Sequence, residues 1–309
     1  PPPPDLLAEL EGRYRAIGGL SPLTGITRSQ VTGIAAALEA RAPGRYRVAY
    51  GAKHTEPRIE TGMAELREEG IRRVVALVLT PHQSSPGSEA YLERVAAAAS
   101  EADGDPVADG GRVDVVAVRS WHRAPGFAEL LAERTEQTVE HLDPSARRRV
   151  TVLFTAHSVP QRALLPDDPY PRQVAESAAD VAGRIGLDPT PGPSWGVAWQ
   201  SAGRTPEPWL GPDLSGEIAR AGRAGATAVV VCPVGFVADH LEILYDLDIE
   251  AAGVARSNGV VFARTPSLND DPRFCDLLAG VVESAAGDAG VAEPAGPRPA
   301  TSRTPGGDG

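Results

Sequence analysis

His157 ends the apolar run Val152-Leu153-Phe154-Thr155-Ala156, and Ser158 and Pro160 turn the chain directly after it. An imidazole at that place meets a loop, where catalytic groups gather, and its ordinary pKa near 6.5 suits proton transfer at neutral pH. A histidine satisfied by backbone near a sheet edge fits the same position. Further along, Asp239-His240-Leu241-Glu242 opens a helical pattern that carries Glu242, Asp246 and Glu250 at i, i+4 and i+8. That spacing puts three like charges on one helical face, where they repel by a few tenths of a kcal/mol each. A row of carboxylates suits a hard or borderline divalent cation, or a proton relay. A solvated acidic face is the other reading. Asp239 stands as an N-cap with Glu242 at the capping-box position, so a purely capping Glu242 is also open. A third stretch, Gln200-Ser201-Ala202-Gly203-Arg204-Thr205-Pro206-Glu207-Pro208-Trp209-Leu210, is a long polar loop after a strand. It either shapes a pocket wall or is a surface loop pinned by Trp209.

Other chemistries lack their residues. No glycine pattern after a strand matches a phosphate loop or a dinucleotide fingerprint, and no Gly-x-Ser-x-Gly elbow is present. Cys232 lies inside an apolar strand and reads as a small core residue rather than a nucleophile. His54, His82, His122 and His141 show no ligand spacing. His82 alone holds a suggestive position, because Val78-Leu79-Thr80-Pro81-His82 echoes Leu153-Phe154-Thr155-Ala156-His157.

These side chains need a scaffold, and hydrophobic periodicity predicts one. Residues 6–17, 29–42, 58–69, 89–100 and 127–142 read as helices, and 46–50, 74–79 and 113–118 as strands. The six apolar residues of 74–79 suit a strand buried on both faces. The pattern then restarts, with strands at 149–155, 195–200, 228–232 and 260–263 and helices at 172–185, 214–224, 240–255 and 271–286. Strands alternating with helices imply βαβ units and parallel sheets, whose ligands bind at the carboxyl ends of the strands.

The composition bounds the rest. The chain has 309 residues, 42% of them hydrophobic, which suffices for about two cored domains. Its formal charge of −11 leaves no basic face for nucleic acid. No apolar run reaches the ~18 residues of a membrane span. Two cysteines are too few for a disulfide scaffold or a thiolate zinc site, and a reducing, cytoplasmic setting fits best. Lys53 is the only lysine and Met63 the only methionine, and the chain opens on four prolines, so a segment upstream is expected to be missing.

Taken together, several motifs resemble one family. Gly18-Gly19-Leu20-Ser21-Pro22-Leu23 with Ile26, Thr27 and Gln30 is similar to the early signature of ferrochelatases. So are Pro81-His82 with Ser84, Ser85 and Tyr91, Thr155-Ala156-His157-Ser158-Val159-Pro160, Gln200-Ser201 with Pro208-Trp209-Leu210, and Val234-Gly235-Phe236-Val237 followed by Asp239-His240-Leu241-Glu242 and Leu244-Tyr245-Asp246. The chain resembles the Gram-positive, actinobacterial type, whose members are similar to coproporphyrin III ferrochelatases.

The resemblance implies an α/β fold of two Rossmann-like, chelatase-type domains, each a parallel sheet flanked by helices, with the active site in the cleft between them. On this chain they are expected at 1–145 (lacking its first strand), and at 146–286 with a closing helix, followed by a disordered tail at 287–309. The implied reaction is that of a lyase of haem biosynthesis: insertion of Fe2+ into a porphyrin, coproporphyrin III being the expected substrate. A chelatase for another tetrapyrrole such as sirohydrochlorin, or a non-catalytic tetrapyrrole-binding homologue, are the alternatives. His157 and Glu242 become the catalytic pair. His157, Glu242, Asp246 and Glu250 become the metal or proton path, and Ser21, Gln30, Ser84 and Tyr91 the porphyrin-binding residues. Fe2+ enters as substrate and no cofactor is expected to be tightly bound. Some actinobacterial relatives hold a [2Fe–2S] cluster on four cysteines, which two cysteines cannot supply. Partners are expected to be the porphyrin, ferrous iron and, transiently, neighbouring haem-pathway enzymes. The chain departs from the family pattern at Ala52, Thr55 and Gln83, which are expected to alter the pocket wall.

Overall fold

Residues 150–157 and 228–232 present almost no polar face to solvent, so each must be covered on both sides. In the computed structural model, which describes residues 4–100, 113–187, 195–203 and 205–288, they lie side by side at the centre of a four-stranded parallel sheet. Strand β3 (Val150–His157) pairs with β4 (Trp195–Gln200) on one edge and β5 (Ala228–Cys232) on the other, and β6 (Val261–Arg264) pairs with β5. The period-2 alternation of these strands divides the core. Val152, Phe154, Ala156, Val230 and Cys232 face one layer, while Leu153, Val229 and Val231 face the other. Helices α5 (Phe127–Glu140) and α6 (Tyr170–Arg184) cover the first layer. Helices α7 (Leu214–Arg223) and α9 (Ala252–Ser257) cover the second.

The first half holds a parallel pair among the described residues, β1 (Arg73–Leu77) with β2 (Asp114–Val118). Helices α3 (Ile59–Glu68) and α4 (Ala90–Ser100) pack on each other, and Ile59, Met63, Ala98 and Ala99 form a small core with Val113. The last helix, α10 (Pro272–Asp288), runs along α2 (Leu23–Arg41) and reaches β1 and β2. The closing helix of the second half therefore packs on the first, and one core cluster runs through both. Helix α1 (Pro4–Ala16) precedes them.

Three sequence expectations change. Residues 46–50 are not a strand: Tyr46 and Val48 pack against the core, but among the described residues no neighbour supplies a hydrogen-bond ladder, and alternation alone does not make a sheet. Helix α2 starts at Leu23, well before residue 29, because Pro22 suits a helix entrance and nothing from 23 to 28 breaks a helix. The continuous helix over 240–255 is instead α8 (Leu241–Leu244), a π-helical segment Asp246–Ala251, and α9. Of the expected tail, residues 287 and 288 are helical and 289–309 lie outside the described residues.

Gly235, just after β5, is where the fold leaves no room for a side chain. A Cβ there would stand 2.6 Å from the Cβ and 2.9 Å from the Cα of Ala156, the residue before His157. Gly253 in α9 has open space at the same test. Gly235→Ala is expected to lower the unfolding free energy by about 1–3 kcal/mol through overpacking. Gly253→Ala is expected to be neutral or to stabilise by up to ~1 kcal/mol. Urea denaturation of the two variants checks this, and an equal response of both would contradict it.

Candidate active site

The carboxyl end of β3 delivers His157 into a loop, and three contacts fix its ring. Nδ1 lies against the Ser158 carbonyl in a short hydrogen bond, so Nδ1 carries a proton and Nε2 points away. Nε2 stands 3.3 Å from Glu242 Oε1. The backbone carbonyl of His157 accepts from the buried hydroxyl of Tyr170, at the start of α6, at 3.0 Å. Glu242 sits in α8 and receives a second imidazole, His240, whose Nε2 lies 3.5 Å from Oε2. Phe236 packs near both imidazoles, its ring centroid 6.4 Å from that of His157 and 5.4 Å from that of His240.

The electrostatics follow from this geometry. Burial works against the charged form of His157, but the Glu242 carboxylate and the Ser158 carbonyl outweigh it and raise the His157 pKa above its usual 6.5. Burial likewise works against ionised Glu242, but the two imidazoles bring its pKa down to about 2. Both shifts favour the ion pair of a protonated His157 and an ionised Glu242. Burial raises the pKa of Asp246, against the hydrogen bond that Ser201 Oγ donates to Oδ2, and the nearby Glu242 and Glu250 push it further up. Arg13 of α1 closes the row, its guanidinium 3.5 Å from Asp246 and 3.9 Å from Glu250. The same guanidinium lies over the Tyr245 ring at 5.0 Å.

The acidic row is thus not the straight helical face that the i, i+4, i+8 spacing predicts. Glu250 N–H bonds back to the Tyr245 carbonyl, one residue further than in an α-helix, so the turn widens between Asp246 and Glu250. Nor is Glu242 a capping residue. Asp239 does not cap the helix either: it accepts from Ser267 Oγ at 2.7 Å and from Asn269 Nδ2 at 3.0 Å, and pairs with Arg264 at 3.3 Å. His240 holds the N-cap position. Among the described residues no three metal-ligating side chains converge into a cage, so His157, Glu242, Asp246 and Glu250 form a row rather than a closed metal site.

The four residues expected to hold porphyrin lie on separate elements. Ser21 precedes α2, and its Oγ accepts from Leu23 N–H at 3.4 Å. Ser84 is buried at the entrance to a π-helical turn, Ser85–Glu89. Tyr91 lies in α4 under the Lys53 ammonium, 5.4 Å from its ring centroid. Gln30 needs correction. It has no exposed surface, and Nε2 donates to the carbonyls of Val237 and Asn269 at 3.2 and 2.9 Å. Both amide hydrogens are used in binding α2 to the second half, so none is left for a carboxylate. Gln83, at an expected departure, donates from Nε2 to Glu89 at 2.9 Å.

A family model described as ferrochelatase matches residues 4–286. The chain is 39% identical over 281 residues to a ferrochelatase of Herpetosiphon aurantiacus, covering 91% of this chain and 88% of that one. It is 38% identical over 284 residues to a coproporphyrin III ferrochelatase of a Geobacillus species, covering 91% and 87%. A coproporphyrin III ferrochelatase of Listeria innocua is 36% identical, again with 91% and 87% covered.

The chain belongs to the ferrochelatase family.

A solved structure of SirB from Bacillus subtilis with Fe3+ superposes with a TM-score of 0.56 at 14% identity, covering 84% of this chain and 92% of that one, and supports the α/β chelatase fold. The family's reaction is metal insertion into porphyrin. Sequence reasoning missed two residues beside His157, Glu242 and the acidic row. His240 was visible only as part of a motif, and the signal that could have found it is its place two residues before Glu242. Arg13 carries no local signal, since 233 residues separate it from Asp246.

The cause of the raised His157 pKa is testable. In a ring-nitrogen NMR titration, wild-type His157 is expected to titrate above 6.5. With Glu242→Gln, burial is left unopposed by the carboxylate, and the midpoint is expected to fall below the wild-type value. The linkage has a definite sign: the raised His157 pKa favours the folded state below pH 6.5, and that contribution is lost as pH rises through the folded-state value. An unchanged midpoint in the variant would show that Glu242 is not the cause.

Proposed function

We propose that this chain inserts ferrous iron into coproporphyrin III, with His157 and Glu242 as the reacting pair. The observation that carries this is the 3.3 Å contact between His157 Nε2 and Glu242 Oε1 at the carboxyl end of a central buried strand. Metallation of a free-base porphyrin forms four metal–nitrogen bonds and releases two pyrrole protons, so the site must accept protons and pass a dehydrated dication. A cleft that prefers the bent macrocycle lowers the barrier, because it binds the transition state better than the flat ring.

His157 suits proton acceptance. In its unprotonated form Nε2 takes each of the two pyrrole protons in turn from the nitrogens facing it and passes it along the carboxylate row towards solvent. Glu242 and His240 together keep one carboxylate ionised and oriented, which offers oxygen to a metal in transit. Asp246 and Glu250 extend the row outward, Glu250 being well exposed at 48%. A row without a closed cage binds a dication loosely, as a metal destined for the product requires. Residues 1–145 and 146–286 form the two sides of the substrate cleft in this reading, with Ser21, Ser84 and Tyr91 supplying hydroxyl donors to the propionates.

The reaction needs no resident cofactor. Cys232 lies in β5 and Cys275 in α10, both buried, and burial pushes the Cys232 thiol up to about 11. Such thiols suit core packing rather than cluster ligation. A cytoplasmic setting, with transient contact to neighbouring haem-pathway enzymes, completes the proposal. No helix among the described residues is long and apolar enough to cross a membrane.

Anaerobic iron insertion, followed by the Soret shift, tests the pair. His157→Ala is expected to lower kcat by about 10²–10⁴-fold, and a rate within twofold of wild type would remove His157 from the mechanism. Substrate choice is a separate measurement. The kcat/KM for coproporphyrin III is expected to exceed that for protoporphyrin by about tenfold or more, the loss of hydrogen bonds to two carboxylates being worth at least ~1.4 kcal/mol. Turnover of sirohydrochlorin with no turnover of either porphyrin would replace the reading with a different chelatase.

A further inference from the structure

Gln200 is the last residue of β4, and it lies beside His157 in the parallel register. Its buried side chain bonds in two directions. Nε2 donates to the backbone carbonyl of Glu242 at 3.1 Å, and Oε1 accepts from Thr155 Oγ1 at 2.7 Å. A backbone carbonyl can only accept, so the amide nitrogen must face Glu242 and the amide oxygen must face Thr155. Thr155 is then the donor, and with no exposed surface it has no water to donate to instead. The backbone carbonyl of Gln200 accepts in turn from Ser158 N–H at 2.8 Å. One residue therefore grips β3 on both sides of His157, at 155 and at 158, and ties that grip to the backbone that carries the Glu242 carboxylate.

The His157–Glu242 contact itself is long, at 3.3 Å, and both side chains are more than a third exposed. Such a pair does not hold its own geometry. Its spacing is set by whatever fixes the two backbones, and α8, which carries Glu242, has only four residues and no side-chain cap.

We propose that Gln200 is a positioning residue for metallation: its amide bridges Thr155 and the Glu242 backbone and holds the carboxylate at the distance where it meets His157. The proposal rests on the reading of His157 and Glu242 as the reacting pair. Gln200 acts through Glu242 and not on the substrate, which separates it from the pocket-wall role that its polar loop otherwise suggests. The Thr155 hydroxyl orients the amide, so it belongs to the same device.

Gln200→Met keeps the length and removes both bonds. It is expected to lower kcat by about 10–100-fold, the usual consequence of misplacing a reacting group by an ångström, with the porphyrin KM within twofold of wild type. In a Glu242→Gln background the same substitution is expected to add less than a twofold loss. Thr155→Val is expected to lower kcat several-fold, and Thr155→Ser, which keeps the donor, to restore it. This second pair decides the matter if Gln200→Met does not fold, as judged by circular dichroism. A raised KM with unchanged kcat would overturn the proposal in favour of a pocket-wall role. Equal losses from Gln200→Met with and without Glu242 would overturn it too, as would equal behaviour of Thr155→Val and Thr155→Ser. Wild-type rates in both His157→Ala and Glu242→Gln would instead defeat the reading of the pair, and with it any positioning through Glu242.

Discussion

Strand β3 is hydrogen-bonded along both edges, to β4 and to β5, and its side chains are buried on both faces. Leu153 packs into one layer while Phe154 and Ala156 pack into the other. Slipping the pairing by one residue would exchange the two layers, which differ in their helices and in the volumes they offer. The register is thus fixed by packing, with full burial of a Leu or Phe contributing about 1.5–3 kcal/mol. His157 is the last residue of that strand. Its position in space is a consequence of the core, and the site is built around it from pieces that reach the same strand end.

Those pieces are polar, and each has a partner that sets its charge. His157 stays protonated more readily because Glu242 is near, and Glu242 stays ionised because two imidazoles are near. Asp246 is pushed the other way by burial and by its acidic neighbours, while Ser201 and Arg13 limit the shift. Ser201 reaches Asp246 from a left-handed backbone conformation, φ 59°, directly after Gln200. The π-helical segment that follows Tyr245 places Glu250 back towards Arg13.

The two halves are joined close to this site. The loop after β1 meets α6 and the turn before it: Gln83 N–H donates to Gln173 Oε1 and Ser85 N–H to Asp168 Oδ2, both at 2.8 Å. His82 lies between them with its Nε2 2.9 Å from Ser177 Oγ. Burial and the neighbouring His122 depress its pKa to about 3, so it packs as a neutral group at any physiological pH. His122 in turn pairs with Glu176 at 2.9 Å. The strand-end echo between His82 and His157 is real in position and opposite in environment. One imidazole is sealed into the seam between the halves, and the other is left accessible beside a carboxylate.

Much of this was legible in the residues alone. The alternation of apolar runs and helical periods yields the parallel α/β architecture, and the strand residues 150–157 and 228–232 mark themselves by their lack of a polar face. His157 and the acidic row are visible because their types and strand-end or helical positions are local properties of the chain. What the chain could not show is how distant segments meet. Gln30 reads as a donor for a ligand, yet tertiary packing uses both its amide hydrogens on carbonyls at 237 and 269. Residues 46–50 alternate as a strand does, but a ladder needs a neighbour. Arg13 and the amide of Gln200 join the site only through contacts between elements. Periodicity and residue type are set by neighbours in sequence, so the sequence by itself determined most of the elements and the titratable groups they carry. Distances, proton affinities and the spacing of the pair depend on desolvation and on charges brought from elsewhere in the chain, and only the tertiary structure decided them.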